Sequence, residues 1–311
     1  MQLVASKPEA CLGIDLSDPV RMALVQGNPA RVVAVREAKN SFDPGSSESL
    51  ANLAREVREF VREVRGCCNC VLGLPVRDAM LAVVDLPPLE KKHCRDALRL
   101  ELLRLFPAKV AELRATYQEW PQSIPRPPSS SAFRGGKAYI LAAAPAASVL
   151  AARKLAASCG LKPEAVEVPA LAACRSSWWC YRLRMQDPSD SPGFTMEISL
   201  SVAKDAVMHL GFGPFPWLTR EIPLQSGESY QDAQVLAGEV ARSVRFANGI
   251  LKNPLPARVT LYGVPERVDL IANILREQLP IEVQVWGVPP ISCQPQYGIA
   301  AGLALRKEPF V

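Results

Sequence analysis

Two histidines, His93 and His209, and nine cysteines are the side chains from which metal or nucleophilic chemistry would have to be built in these 311 residues. Cys67 and Cys70 stand at the spacing of half a zinc site, with Cys68 between them. A structural zinc needs a second such pair, and Cys94, Cys159, Cys174, Cys180 and Cys293 are isolated along the chain. Cys70 also opens the apolar run Cys70-Val71-Leu72-Gly73-Leu74, which reads as a buried strand. Buried free thiols are therefore the first expectation, a redox or metal role the second, and no metal site is expected. The sequence holds no Gly-x-Ser-x-Gly elbow, no P-loop and no dinucleotide glycine fingerprint. Thirty-six basic against 31 acidic residues give a net charge of +5, too small and too dispersed to argue for nucleic acid.

The elements that would position any site follow from periodicity. A chain of this length suggests about two domains at roughly 150 residues each. The first ten residues include Lys7 and Glu9 and no apolar core, so no signal peptide is expected, and the thiol count fits a reducing cytosol. The most apolar window, 139–157, contains Pro145, Arg153 and Lys154 and falls short of a membrane span. Three strand-like runs, 10–16, 20–26 and 31–39, read as a meander. Leu50, Leu53, Val57, Phe60 and Val64 then repeat at helical spacing with charges on the opposite side. A strand at 70–74 follows. Next comes a strand–helix–strand module over 79–120, with its helix from 90 to 106. The stretch 121–136, rich in Pro, Ser and Gly, reads as a flexible linker. Strand 138–144, helix 146–158, strand 165–168 and helix 170–183 complete a first half over 1–185. After a second break at 186–193 the order restarts over 194–311. Its strands are 194–202, 206–212, 217–224, 258–262 and 282–285, and its helices 230–251, 265–279 and 297–305. Each half would be a mixed α/β sheet with helices on both faces, and a cleft between halves the natural ligand position. Two unrelated α+β domains are the alternative.

Local residues carry a resemblance beyond this order. Gly13-Ile14-Asp15-Leu16-Ser17 with Val20-Arg21 and Leu24-Val25 resembles the opening of the PilM family of type IV pilus assembly proteins. Leu72-Gly73-Leu74-Pro75 and Asp85-Leu86-Pro87-Pro88 resemble two further segments of that family. Ala97-Leu98-Arg99-Leu100-Glu101 with Phe106-Pro107 resembles the helix of its inserted subdomain. Gly160-Leu161-Lys162-Pro163 with Val166 to Ala172, and the run from Tyr297 to Ala304, resemble the ends of its two halves. The ordered set spans nearly the whole chain. It implies an actin-like duplicated fold of two RNase H-like halves, an inserted subdomain in the first, and a place at the cytoplasmic face of the inner membrane. The implied partner is the N-terminal cytoplasmic peptide of a PilN-like single-pass membrane protein, along with other platform and motor proteins; membrane association would run through these partners. The cytoplasmic platform component of type II secretion is similar too.

ATP and Mg²⁺ are the ligands the resemblance implies. In such a fold two hairpin turns approach the phosphates closely, which favours glycine, and a carboxylate beside each turn helps hold a hydrated Mg²⁺. Asp15 takes the first carboxylate position, Ser17 stands where the turn glycine belongs, Pro19 removes an N–H donor, and Arg21 falls near the family's lysine. Glu197 and Ser199 take the second Asp and Gly positions, and a glycine run is reduced to Gly263. Asp15 reads equally as a strand-end turn residue, Glu197 as a solvated or paired strand residue and Gly263 as a turn. The set implies weak or no nucleotide binding, with a slow actin-like ATPase as the alternative. On the module's helix, Leu98, Leu102, Leu105 and Phe106 share one face while Leu100 and Leu103 widen the apolar arc. With Arg95 and Arg99 beside them, Leu100 and Leu103 are expected at a partner-peptide groove, with packing inside the chain as the alternative. The helix's basic face reads as simply solvated, or as facing anionic lipid.

Overall fold

The computed structural model describes residues 10–27, 29–64, 67–106, 112–124, 126, 136–184, 193–200, 205–224, 229–250, 258–287 and 293–307. The chain opens with an antiparallel meander, β1 (Cys11–Asp15), β2 (Arg21–Gln26) and β3 (Arg31–Glu37). Every residue of β1 is buried, as a central strand covered on both faces requires, while β3 alternates exposed and half-buried residues at the sheet edge. Helix α1 (Ser47–Val64) buries Leu53, Ala54, Val57 and Phe60, one stripe at spacings of one, three and three. Strand β4 (Asn69–Gly73) then returns parallel to β1.

An inserted unit follows: β5 (Met80–Leu86), α2 (Lys91–Leu105), β6 (Leu113–Glu119) and β7 (Lys137–Pro145). Beyond it lie α3 (Ala146–Ser158), β8 (Lys162–Glu167), which joins β4 in parallel, and α4 (Pro169–Arg184). The second half repeats the plan with β9 (Phe194–Leu200), β10 (Asp205–Phe212), β11 (Phe215–Pro223), α5 (Ser229–Ile250), β12 (Arg258–Tyr262), α6 (Pro265–Gln278), β13 (Glu282–Val285) and α7 (Gly298–Ala304). The two main sheets have one topology, β3-β2-β1-β4-β8 and β11-β10-β9-β12-β13, so the duplication is in the pairing as well as in the order.

The terminal helices cross over. Helix α4 of the first half packs on β9, β10 and β11, and α7 of the second half packs on β1, β2 and β4. They also meet each other so closely that a Cβ on Gly302 would lie 2.0 Å from the Ala172 carbonyl oxygen. On Gly13 a Cβ would lie 1.8 Å from that of Ala300. Glycine at these two places is what lets α7 touch both α4 and β1.

The inserted unit differs from the expected strand–helix–strand over 79–120. Its sheet has the order β5-β7-β6, so β7, expected as a strand of the main body, is the central strand of the insertion. Neither β5 nor β6 pairs with the other; each runs antiparallel to β7. The insertion therefore closes at Pro145. The linker expected at 121–136 connects β6 to β7, and 125 and 127–135 lie outside the described residues, as does most of the break at 186–193. At the described edge of that connection, Arg126 Nε donates to Asp85 at 2.9 Å and its Nη1 to the Gly136 carbonyl at 3.1 Å. All nine cysteines are free, and all but Cys68 are buried. No helix among the described residues is long and apolar enough to cross a membrane.

Candidate functional site

The inserted sheet has two occupied faces. Toward α2 it presents Val84, Leu86, Tyr139 and Leu141, which enclose Cys94, Leu98 and Leu102. Its other face presents Leu81, Val83, Ala138 and Ile140 to the second half's core, where Trp120 packs against Phe212 and Phe215. This lean against the second half leaves a cavity of about 650 Å³ where β6 and β7 face the first half. Thr116, Gln118, Ile140 and Ala142 form one wall; Leu74, Val149, Val166 and Leu171 form the other. Phe215, from the second half, also lines it.

Charge in the cavity is concentrated on one network. Glu167 at the end of β8 receives Arg175 of α4 at 3.1 Å and Arg306, just past α7, at 3.2 Å. Arg175 also donates to the Gly302 carbonyl at 2.7 Å. Glu167 and Arg175 are both buried. One carboxylate thus ties both terminal helices to the cavity floor, and a buried ion pair of this kind is costly to break from one side only. Arg114 of β6 lines the same cavity and has no ion-pair partner among the described residues. Three arginines against one glutamate leave the cavity cationic.

The expected partner residues lie elsewhere on the inserted unit. Arg95, Arg99, Leu100 and Leu103 are exposed on α2, Leu100 at 65% and Leu103 at 41%. With Cys94, Leu98 and Leu102 turned to the sheet, these four sit on the outer side of the helix, across the sheet from the cavity. The wide apolar arc read from sequence is real, and its surplus faces solvent.

The residues tied to nucleotide by resemblance form two clusters. At the end of β1, Asp15 is buried and its Oδ1 accepts the Ser17 backbone N–H at 3.1 Å, a local turn bond. Burial raises its carboxyl, while Ser17 and the Arg21 charge oppose the rise. Arg21 sits opposite Asp15 in the β1–β2 register and spends its Nε on Glu37 at 3.0 Å. In the second cluster Glu197 is fully buried, and its Oε2 accepts the Cys174 thiol of α4 at 3.3 Å. Among the described residues its Oε1 has no hydrogen-bond partner, and burial pushes the carboxyl up to about 7. Ser199 follows two residues on, half-buried, its hydroxyl without a partner among the described residues. Gly263 adopts φ of 146° directly after β12, where a Cβ would lie 3.0 Å from the Leu200 carbonyl oxygen. None of the six lines the cavity. No group of three or more metal-ligating side chains occurs among the described residues.

Glu167, Arg175, Arg306 and Arg114 were not singled out from sequence. Only Glu167 and Arg175 are close in sequence, eight residues apart, while Arg114 and Arg306 lie far from them, and an Arg or Glu in a strand or helix carries no local mark of its partner.

No protein-family model matches this chain, and no curated protein matches its sequence. Solved structures do match. A chain of the "PilM-PilN type IV pilus biogenesis complex" superposes with a TM-score of 0.70 at 19% identity, over 95% of this chain and 98% of that one. The cytoplasmic domain of EpsL, an inner-membrane component of the Vibrio cholerae type II secretion system, gives 0.52 at 12% identity over 94% of both chains. A Bacteroides thetaiotaomicron protein with an actin-like ATPase fold gives 0.50 at 11% identity over 97% and 98%. Nearly the whole chain thus has the duplicated actin-like fold, and in that fold it is similar to a chain of the PilM–PilN complex.

Proposed function

We propose that this chain is a cytoplasmic scaffold of a type IV pilus inner-membrane platform. It holds the N-terminal cytoplasmic peptide of a PilN-like membrane protein and binds nucleotide weakly or not at all. The observation that carries the reading is the cationic, half-apolar cavity between the inserted sheet and the first half, in a chain similar over its length to one from a PilM–PilN complex. A concavity that pairs an apolar wall with a few fixed charges suits a peptide whose side chains are mixed apolar and acidic. A type II secretion platform is the related alternative, with lower structural overlap.

The residues at the two turns do not fit Mg–ATP well. Asp15 already accepts from its own turn, Arg21 bonds Glu37 through Nε, and Glu197 is fully buried with its Oε2 bonded to Cys174 of α4. Serines at positions 17 and 199 place side chains where phosphate would need bare backbone. An actin-like ATPase remains the competing reading, and nucleotide affinity decides between them.

Calorimetry with a synthetic N-terminal peptide of a PilN-like protein from the same organism tests the scaffold reading. Saturable binding is expected, weakened roughly tenfold or more by Ala142→Phe, which fills the cavity without touching its ion pairs. Absence of binding to the folded wild type would overturn the proposal. Loss with Leu100→Asp but not with Ala142→Phe would move the peptide to the α2 face beside Arg95 and Arg99.

A further inference from the structure

Helix α2 covers the inserted sheet with Cys94, Leu98 and Leu102 and turns a second row of side chains outward. At about 100° per residue, Leu100 and Leu103 fall about 60° apart in the middle of that outer side. Lys92, Arg95 and Arg99 run along one flank, and His93 and Arg104 along the other; all five are exposed. Leu89, just ahead of the helix, is exposed as well. The other exposed leucines among the described residues, Leu150, Leu183 and Leu270, stand singly on α3, α4 and α6. Single exposed leucines are ordinary at a protein surface. Leucines flanked by cations on one helix face are the pattern of a helix that lies in a membrane interface.

Charge points the same way. Lys92 is matched by Glu90 at 2.8 Å and Arg104 by Glu101 at 2.7 Å. Arg95 and Arg99, one turn apart, have no ion-pair partner among the described residues, and Asp96 is the helix's one acid outside these pairs. The outer face is therefore left net positive. Shape separates a bilayer from a folded partner. Leu100 and Leu103 project from a convex ridge, away from the cavity. A folded partner would have to bring a groove to receive them, whereas a fluid headgroup layer closes around a ridge on contact. Arginine suits the flanks, because its long stem lets the guanidinium stay at the phosphates while the leucines sit deeper.

We propose that the outer face of α2 lies on an anionic bilayer, with Leu100 and Leu103 below the headgroup phosphates and Arg95 and Arg99 paired to them. Two cations at roughly fivefold in affinity each make this a weak contact by itself. Beside a tethering partner peptide it becomes a second attachment, which fixes how the inserted unit sits on the membrane. The inference extends the platform reading, and its test contains no partner peptide, so either can fail without the other.

The full chain is floated with vesicles of phosphatidylglycerol and phosphatidylethanolamine, and separately with vesicles of phosphatidylcholine. Binding to the anionic vesicles alone is expected. Arg95→Gln with Arg99→Gln should weaken it roughly twentyfold, and Leu100→Ser with Leu103→Ser roughly tenfold. All four side chains are exposed, so both variants should keep the wild-type melting temperature. Cys68→Ser removes the one exposed thiol. In that background an environment-sensitive dye at Leu100→Cys should shift to the blue on anionic vesicles, and the same dye at Leu150→Cys on α3 should not. Absence of binding to anionic vesicles overturns the proposal. So does binding that the leucine variant leaves unchanged, which is the bulk attraction of a chain of net charge +5. An equal dye shift at both positions overturns it too. A leucine variant that keeps vesicle binding but loses the PilN-like peptide would assign the face to a protein partner and overturn it as well.

Discussion

Glu197 offers the sharpest physical test. It belongs to a row of polar side chains that crosses the second sheet in register: Thr219 of β11, His209 of β10, Glu197 of β9, Thr260 of β12 and Gln284 of β13. Helix α4 lies over this row. Ser177 bonds Thr260 at 2.9 Å and Cys174 donates to Glu197. The carboxyl's ordinary value of 4.5 rises to about 7, burial being the main cause. Between those values the unfolded chain releases a proton that the folded chain keeps, so stability is fully present below pH 4.5 and falls as pH rises through 7. At about 1.4 kcal/mol per pH decade the loss is about 3 kcal/mol. Glu197→Gln removes the titration while keeping the shape. Urea unfolding of both proteins from pH 4.5 to 8 should show the variant gaining on the wild type by about 3 kcal/mol across that window. His209, which burial lowers to about 4, tilts stability the other way between 6.5 and 4, but in both proteins, so the difference isolates Glu197. A difference that stays constant with pH would refute the reasoning.

Three further outcomes follow from the geometry. Gly302→Ala places a Cβ 2.0 Å from a backbone oxygen that no side-chain rotation can clear, and should cost about 3 kcal/mol or more in urea unfolding. Arg175→Met leaves the buried Glu167 with Arg306 alone and should cost about 3 kcal/mol, much of it recovered by adding Glu167→Gln. Calorimetry with Mg–ATP should show weak or no binding; a low-micromolar dissociation constant that collapses on Asp15→Ala would favour the ATPase reading instead.

The duplicated order was legible because each half is built from strongly patterned elements. The apolar run of β1, the stripe of α1 and the punctuating prolines and glycines fix where strands and helices lie. Pairing was not legible for β7. Its run, Ala138 to Ala144, says strand but not whose neighbour, and only the fold shows it between β5 and β6. The same holds for the cavity: Glu167 and Arg306 become partners only when α7 crosses to the first half. Leu100 and Leu103 show the converse, since their surplus apolarity was visible in the helical repeat while its destination was not. Glu197 was noticed as a carboxylate, but its burial beneath α4 depends on a helix from the other half.

The contacts at the crossing of α4 and α7 bear on how such a molecule would work. Tyr262 of β12 donates its hydroxyl to the Ala173 carbonyl at 2.8 Å, Arg175 reaches Gly302, Cys174 reaches Glu197, and Arg306 reaches Glu167. Each joins a residue of one half to a residue of the other, and those that are buried are worth about 1 kcal/mol net each but more if left unmade. A hinge that parted the halves here would have to break several of them together. The cavity floor is made by the same residues, because Arg175 comes from the first half and Arg306 from the second. A segment seated there therefore contacts both halves across a joint that is already bonded. That arrangement suits a scaffold presenting a fixed receptor to a membrane partner better than it suits a clamp opened and closed by nucleotide.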